Sequence, residues 1–392
     1  MTTTPEVSIE LEQFGALTFP NLTQVEITTS YVDPVDKFRF GFVPRSGNRV
    51  GDATLKQELQ QERITIRVAG RPQLLGRIDR VGRGRAPGEL IASGRSYMFE
   101  LATCDVDPTF EVKDDTPLGK VLQQVASPVG IANIVGEDSG PLRNIRSGRN
   151  LTGVPPDPSF LLRPLTNYKP NTGTEKILAF MTRVAAREGF SVQPSASRDT
   201  IILAKPDYAQ PVFGQLIQRF DGVGNNIKSS QATYDTSKIP THVLRVGQAR
   251  AAGSEGEARA TRSVIPVDWP SLEVPRERVV TDRIKPPVVK ADAGLYRLSY
   301  VRDRDSKNQN QLELASIRNL AEATRTYLDY PVTMVGAMLN DGVYCNGTLF
   351  DVDDPVEGVQ QRLWCESTVM RISADAGTTT QLKLRLPGSY IY

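Results

Sequence analysis

The pattern of apolar and polar positions divides the chain into two strand-like regions around a mixed middle. Between residues 24 and 103 the pattern has period two: Val25, Ile27 and Thr29 alternate with polar neighbours, and Phe38, Phe40 and Phe42 resume the alternation after Asp33-Pro34. Side chains of a strand point alternately to opposite faces, so this is the pattern of paired strands with one face on a core. Ile64, Ile66 and Val68 repeat it, Gly70-Arg71-Pro72 supplies a turn, and Leu74, Gly76 and Ile78 continue beyond it. Leu90 and Ala92 follow the loop from Gly82 to Gly88. Five or six strands in about 80 residues, without a helical stretch strong enough to cover a sheet, predict a sandwich or small barrel.

The period then changes. Asp115-Thr116-Pro117 reads as an N-cap followed by proline near the first helical position, and Leu118, Val121, Leu122 and Val125 mark one helical face that Pro128 and Gly130 end. Residues 136 to 173, rich in Gly, Pro, Asn and Arg, read as a long excursion or linker. Thr174 opens a second predicted helix with Ile177, Phe180, Met181 and Val184 on one face, closed by Gly189. A strand pair follows at Phe190 to Gln193 and Thr200 to Ala204, which makes an α+β unit.

Strands return from Ile227, with Val243, Arg245 and Gly247 in one of them, before a Gly-, Pro-, Arg- and Glu-rich stretch from Ala249 to Gly294 that reads as an exposed insertion. A third helix is predicted from Asn310 to Leu328, its face given by Leu314, Ile317, Ala321, Thr324 and Leu328. The second strand-like region, residues 342 to 387, has Thr348, Phe350 and Val352, then Thr368, Met370 and Ile372, then Leu382, Leu384 and Leu386 against Gln381, Lys383 and Arg385. The two β-regions share length and rhythm but little identity, so the residues alone do not establish a repeat.

Composition narrows the function classes. With 392 residues, two to four domains are expected. The formal charge of +2, from 47 basic and 45 acidic residues, gives no overall pull toward nucleic acid or an anionic membrane. Cys104, Cys345 and Cys365 include no CxxC pair, so neither a zinc site nor a disulfide framework is expected, and a reducing compartment fits. The N-terminus lacks the pattern of a signal peptide and no stretch has the length of an apolar spanning helix, so synthesis and folding in a cytoplasm, with no membrane partner, are expected.

Candidate chemistry is sparse. His242 is the only histidine, which excludes mechanisms and metal sites needing two imidazoles and favours a structural role. Neither G-x-S-x-G nor a P-loop occurs, and Gly82-Arg-Gly84 lacks the strand-to-helix context of a phosphate loop. The acidic runs Asp105-Val-Asp107 and Asp351-Val-Asp-Asp354 each precede a proline and read first as turns, with Asp bonding backbone amides. Paired carboxylates at Asp351 and Asp353 leave a cell-wall carbohydrate-active enzyme as the alternative. Arg77, Arg80, Arg83, Arg85 and Arg95 make the first β-region locally basic, and Arg143, Arg146 and Arg149 form a second cluster; without interleaved aromatics, a solvated or interface face is expected ahead of nucleic-acid binding. No catalytic, cofactor-binding or metal-ligating residue is assigned, and no cofactor is expected.

The order of these signals resembles the hub proteins of contractile tail baseplates, including the late control protein D group and the tail hub of Mu-like phages. The resemblance lies in Ile64-Thr-Ile-Arg-Val-Ala-Gly70, Leu74-Leu-Gly-Arg-Ile-Asp79 and Ile91-Ala-Ser-Gly-Arg95, followed by a helix at Thr116-Pro-Leu-Gly-Lys-Val-Leu122. It continues in Lys176 to Phe190 and in the closing stretches Asn346 to Val352, Leu363 to Ser367 and Gly377 to Pro387. The insertion at 249 to 294 departs from the pattern.

The resemblance implies an α+β, β-rich fold with two small antiparallel tube-like β-barrels flanking and packed with α+β middle domains. The expected division is 1–112 for the first barrel, 113–222 for the α+β middle, 223–248 with 325–392 for the second barrel, and 249–324 for the insertion and a helical segment. It implies a non-enzymatic homotrimer joining a sixfold tail tube to a threefold central spike in a virion tail baseplate or related injection particle, assembled in the bacterial cytoplasm. Expected partners are further copies of the chain, the tail tube or tube-initiator protein, the spike and the wedge proteins, with DNA passing the lumen without specific binding. No β-helix repeat follows Tyr392, which disfavours a hub fused to its own spike.

Overall fold

The computed structural model describes residues 7–13, 15–18, 21–44, 57–84, 88–111, 116–137, 164–165, 175–187, 190–195, 197–237, 239, 242–247, 263–266, 298–303, 319, 321–322, 325–373 and 375–389. Seven strands open the fold: β1 (Val7–Leu11), β2 (Gly15–Thr18), β3 (Leu22–Ser30), β4 (Lys37–Phe42), β5 (Arg63–Val68), β6 (Arg71–Arg83) and β7 (Leu90–Ser96). Their alternation is the predicted one, with β1 and β2 added ahead of it. Val25, Ile27, Phe38, Phe40, Ile64, Ile66, Val68, Leu74, Ile78, Leu90 and Ala92 are buried in one core. The β5–β6 hairpin turns on Ala69 and Gly70, both at positive φ (50° and 74°), the conformation that matches a two-residue turn to the strand twist. Gly94 and Gly76 on the inner face make room for Phe38: a Cβ on Gly94 would lie 2.6 Å from the Phe38 ring and 1.9 Å from the Arg77 carbonyl oxygen.

The middle unit contains α1 (Met98–Thr103), β8 (Thr116–Pro117), α2 (Leu118–Ala126), β9 (Asn133–Glu137), β10 (Pro164–Leu165), α3 (Ile177–Arg187), β11 (Ser191–Pro194) and β12 (Thr200–Ala204). Leu118, Val121, Leu122 and Val125 of α2 and Phe180, Met181 and Val184 of α3 pack into one core, as their spacing predicts. The α2 cap differs from expectation. Pro117, whose ring has no hydrogen-bonding group, stands at the cap; Thr116 and Pro117 pair with β10, and Asp115, the expected cap, lies outside the described residues. A 3-10 turn over Ser127–Val129 and left-handed Gly130 end the helix. β11, β12 and β9 form a three-stranded sheet in which β9 runs parallel to β12, so part of the expected 136–173 linker is the end of a strand. Thr174 and Gly189, the expected ends of α3, lie outside the described residues.

The rest comprises β13 (Gly214–Ile217), β14 (Ile227–Ser230), β15 (Thr233–Tyr234), β16 (His242–Gly247), β17 (Ser263–Pro266), β18 (Leu298–Asp303), β19 (Leu328–Val335), β20 (Met338–Leu339), β21 (Gly342–Val343), β22 (Leu349–Asp354), β23 (Val359–Ser373) and β24 (Gly377–Arg385). β17 falls within the expected insertion and pairs β16, which also pairs β18; residues 249–262 and 267–294 of that insertion lie outside the described residues. The predicted helix from Asn310 also lies largely outside them, and Leu328, placed at its end by helical spacing, is the first residue of β19. Leu382, Leu384 and Leu386 are buried in the core of the second β-region. Among the described residues no helix is long and apolar enough to cross a membrane.

The two β-regions are one sheet. Fourteen strands are connected along the path β14-β19-β24-β23-β3-β4-β7-β6-β5-β1-β2, with β13 and β22 attached at β23 and β15 at β19. The sheet is antiparallel throughout except for β13 against β22, and no ladder closes either half among the described residues.

Candidate assembly interface

β23 organises the junction. Its 15 residues pair β22 through Val359 to Trp364, β24 through Trp364 to Ser373, and β3 through Ser367 to Ser373. The two sheet halves therefore meet edge to edge along β3 and β23. A strand edge is a row of unsatisfied N–H and C=O groups, and here each half satisfies the edge of the other.

Side chains reinforce the seam on both faces. On the inner face the Thr29 and Thr368 hydroxyls share a buried hydrogen bond of 2.9 Å, while Ile27 opposes Met370 and Val25 opposes Ile372. On the outer face Arg371 donates to Glu26 at 2.9 Å. Beyond the ladder, the Tyr31 N–H donates to the Glu366 carbonyl at 2.9 Å. Glu366 lies at a bulge between Cys365 and Ser367, and its carboxylate accepts from Arg385 at 2.7 Å. Buried Arg385 also donates to the Leu328 carbonyl at 2.8 Å and lies 3.2 Å from Asp329. An extra residue in one strand re-aims a side chain, and this one places an acid where it compensates a buried guanidinium.

Two further contacts lock the halves. Tyr31 from the first region packs edge-on against Trp364 at 4.9 Å between ring centroids, with Tyr208 on the same indole at 5.8 Å. The β20–β21 hairpin sends Ala337 and Val343 into the core of the first region, and Arg71 donates to the Asp341 carbonyl at 2.7 Å. The middle unit is held through Gln193, which donates to the Tyr31 carbonyl at 2.7 Å, and through Tyr97, which donates to the Thr200 carbonyl at 2.8 Å.

The sequence candidates for chemistry fall into structural roles. Asp351 faces Arg362 across β22 and β23 and accepts from it at 3.0 Å. Asp353 accepts from Arg219 at 2.6 Å and Gln360 at 3.0 Å; these bonds lower its carboxyl below the usual range, which suits a permanent anion and not a general acid. Buried Asp354 accepts from Ser230 and Tyr330 and caps the following turn through the Glu357 N–H at 3.0 Å. The turn reading thus fits Asp354, while Asp351 and Asp353 make ion pairs across strands. Asp107 caps its own turn through the Thr109 N–H and hydroxyl, and Asp105 pairs with Lys176 at 2.8 Å.

His242 begins β16, and its side chain lies outside the described residues, as do Arg85, Arg143, Arg146 and Arg149. Of the first basic cluster, Arg95 pairs with Asp79 at 2.7 Å and Arg77 with Glu100 at 3.2 Å. Arg80 and Arg83 are exposed.

One end of the second β-region presents apolar tips. The segment from β13 to β14 exposes Phe220 (80%) and Val223 (64%), and the neighbouring β22–β23 turn exposes Val356 (41%). The loop carrying the first two is tied down: Arg219 and Asn225 exchange two hydrogen bonds, Asp221 accepts from the Val223 N–H, and Asn226 bonds Ile217 and Gln215. Charge periodicity gave no signal for this feature.

No protein-family model matches the chain, and no curated protein matches it in sequence. Solved structures do match. The tail protein from Neisseria meningitidis MC58 superposes with a TM-score of 0.73 at 17% identity over 99% of this chain and 98% of that one. The 43 kDa tail protein of prophage MuSo2 from Shewanella oneidensis gives 0.70 at 12% identity over 99% and 100%. An E. coli component of the type VI secretion system, described as similar to the T4 tail proteins gp27 and gp5, gives 0.51 at 8% identity over 98% of this chain and 78% of that one. The chain has the fold of these two tail proteins and of the type VI secretion component.

Proposed function

We propose that the chain is the structural hub of a phage tail or related contractile injection particle, a homotrimer joining a sixfold tail tube to a threefold central spike. The observation that carries this reading is the β3–β23 seam, which sets two β-regions side by side in one sheet within one chain. Three such chains in a ring supply six β-regions, and the ring closes by heterologous contacts between the outer edges of neighbouring chains. Three-fold and six-fold partners then meet one body that has both periodicities.

Each β-region is read as a small barrel. The core lined by β1 to β7, to which Ala337, Val343, Met370 and Ile372 of the second region are added, supports this for the first. For the second, Asn226 spans the gap between β13 and β14: its main-chain N–H donates to the Ile217 carbonyl and its side chain bonds both Ile217 and Gln215. The proposed division remains 1–112, 113–222, 223–248 with 325–392, and 249–324. Tube, spike and wedge proteins are the proposed partners, no catalytic or cofactor site is assigned, and the proposed location is the virion tail baseplate.

The test is reconstitution of the purified chain with the tube and spike proteins of its own particle, followed by imaging. Rings seated between tube and spike, with six β-regions in projection, are expected. Absence of any ring with both partners present would overturn the reading.

A further inference from the structure

The outer face of the first β-region holds more positive charge than its strand pairing accounts for. Register places Lys37, Arg95, Arg77 and Arg63 side by side in one row across β4, β7, β6 and β5. Like charges directly opposite each other on a sheet are unfavourable, so such a row calls for compensation or a use. Compensation exists for three of them: Arg95 with Asp79, Arg77 with Glu100 and Arg63 with Glu12. Lys37 has no acidic partner among the described residues.

The adjacent row adds two more uncompensated cations. Arg39 on β4 and Arg80 on β6 flank Ser93 of β7 in register. Glu26 lies opposite Arg39, but its carboxylate is bonded to Arg371 on the other side. The bulge between Ile78 and Arg80 brings Asp79 to Arg95 and leaves Arg80 exposed. Strand geometry sets Arg39 about 7 Å from Lys37 and about 10 Å from Arg80, with about 12 Å between Lys37 and Arg80, all on one face.

We propose that Lys37, Arg39 and Arg80 form a contact surface for the phosphate backbone of double-stranded DNA, recognised by charge and not by sequence. A duplex strand presents a phosphate about every 3.4 Å along its axis, so the triad spans two to three phosphates of one strand. The Thr28 and Ser93 hydroxyls lie in register beside Lys37 and between the two arginines, where they can donate to phosphate oxygens. A sheet face without a protruding element does not enter a groove, which removes base readout. An acidic protein partner is the less favoured occupant. Protein interfaces centre on apolar or aromatic anchors, and no large apolar side chain on β3, β4, β6 or β7 is exposed.

This goes beyond the hub reading and does not depend on trimer formation, since a single chain presents the same face. The test measures fluorescence anisotropy of a short random-sequence duplex against the full chain, titrated between about 50 and 200 mM salt. Binding is expected at the low end and should weaken steeply with salt. The triple variant Lys37→Gln, Arg39→Gln, Arg80→Gln should lose about tenfold or more in affinity, and its salt slope should fall by roughly 2 to 3. Arg362→Gln, which removes an exposed cation bonded to Asp351 in the second β-region, away from this face, should bind more like the parent. Unchanged thermal melting of both variants separates these effects from misfolding. The proposal is overturned if the parent chain does not bind the duplex, if the triple variant binds with the parent's affinity and slope, or if polyglutamate competes as well as DNA.

Discussion

Thr29 on β3 and Thr368 on β23 lie 339 residues apart in sequence, and their hydroxyls share a buried hydrogen bond of 2.9 Å. Neither threonine stands out within its own strand. Together they join the beginning and the end of the chain, at the line where two sheet halves become one.

That bond gives the first prediction. Thr29→Val or Thr368→Val alone strands the remaining buried hydroxyl and should cost about 1 to 3 kcal/mol. The double variant removes both polar groups and should cost much less than the sum of the singles. A double-mutant cycle in urea reads the difference as a favourable coupling between the two positions. Additive effects would mean that the seam is not formed in solution.

Acid should weaken the fold through surface carboxylates. Hydrogen bonds from Thr109 lower the Asp107 carboxyl, those from Ser197 and Thr200 lower Asp199, and those from Gln360 and Arg219 lower Asp353, each below the ordinary 3.8. An acid depressed in the folded state binds more protons when unfolded. Its contribution to stability is therefore present above the unfolded value and lost as pH falls through the folded one. Urea midpoints should drop as pH falls below 3.8, and Asp353→Asn should show a shallower drop than the parent chain.

Thiol reactivity should separate the three cysteines. Cys104 is exposed, whereas Cys345 and Cys365 are buried, and burial pushes the Cys365 thiol well up, away from the reactive thiolate. A thiol reagent should modify one cysteine quickly in the native chain and all three in denaturant. Cys104→Ser should abolish the fast phase.

The exposed loop at the end of the second β-region should matter to assembly and not to folding. Phe220 and Val223 are 80% and 64% exposed on a hydrogen-bonded loop. Replacing both with Ser should change monomer stability by no more than about 0.5 kcal/mol. In sedimentation velocity the same variant should shift material from the assembled to the smaller species.

Much of this fold was legible in the sequence, because period-two and helical spacing report which face of an element is buried. The pattern of Ile64, Ile66 and Val68, or of Leu382, Leu384 and Leu386, leads to the observed cores. Pattern says nothing about which edge a strand pairs with, so the β3–β23 seam was not visible. It also misplaced Leu328, since an apolar residue at helical spacing serves equally well as the first buried position of a strand. The six-residue α1 is too short to show a period, and β9 carries Gly136, which reads as the start of the linker.

Charge was harder still. Counting along the chain grouped Arg77, Arg80, Arg83, Arg85 and Arg95, whereas strand pairing adds Lys37 and Arg39 and withdraws Arg77 and Arg95 into ion pairs. Asp351 and Asp353 looked like a carboxylate pair until the fold supplied Arg362 and Arg219 as partners.

The central claim is that three chains close a ring of six β-regions. Its most direct test is the absolute mass in solution by light scattering, measured over a range of concentrations and joined to low-resolution imaging. A species of three times the 43.1 kDa chain, seen as a ring with a central opening, is the predicted result. A strict monomer at every concentration, with no ring in the presence of tube or spike, would contradict it.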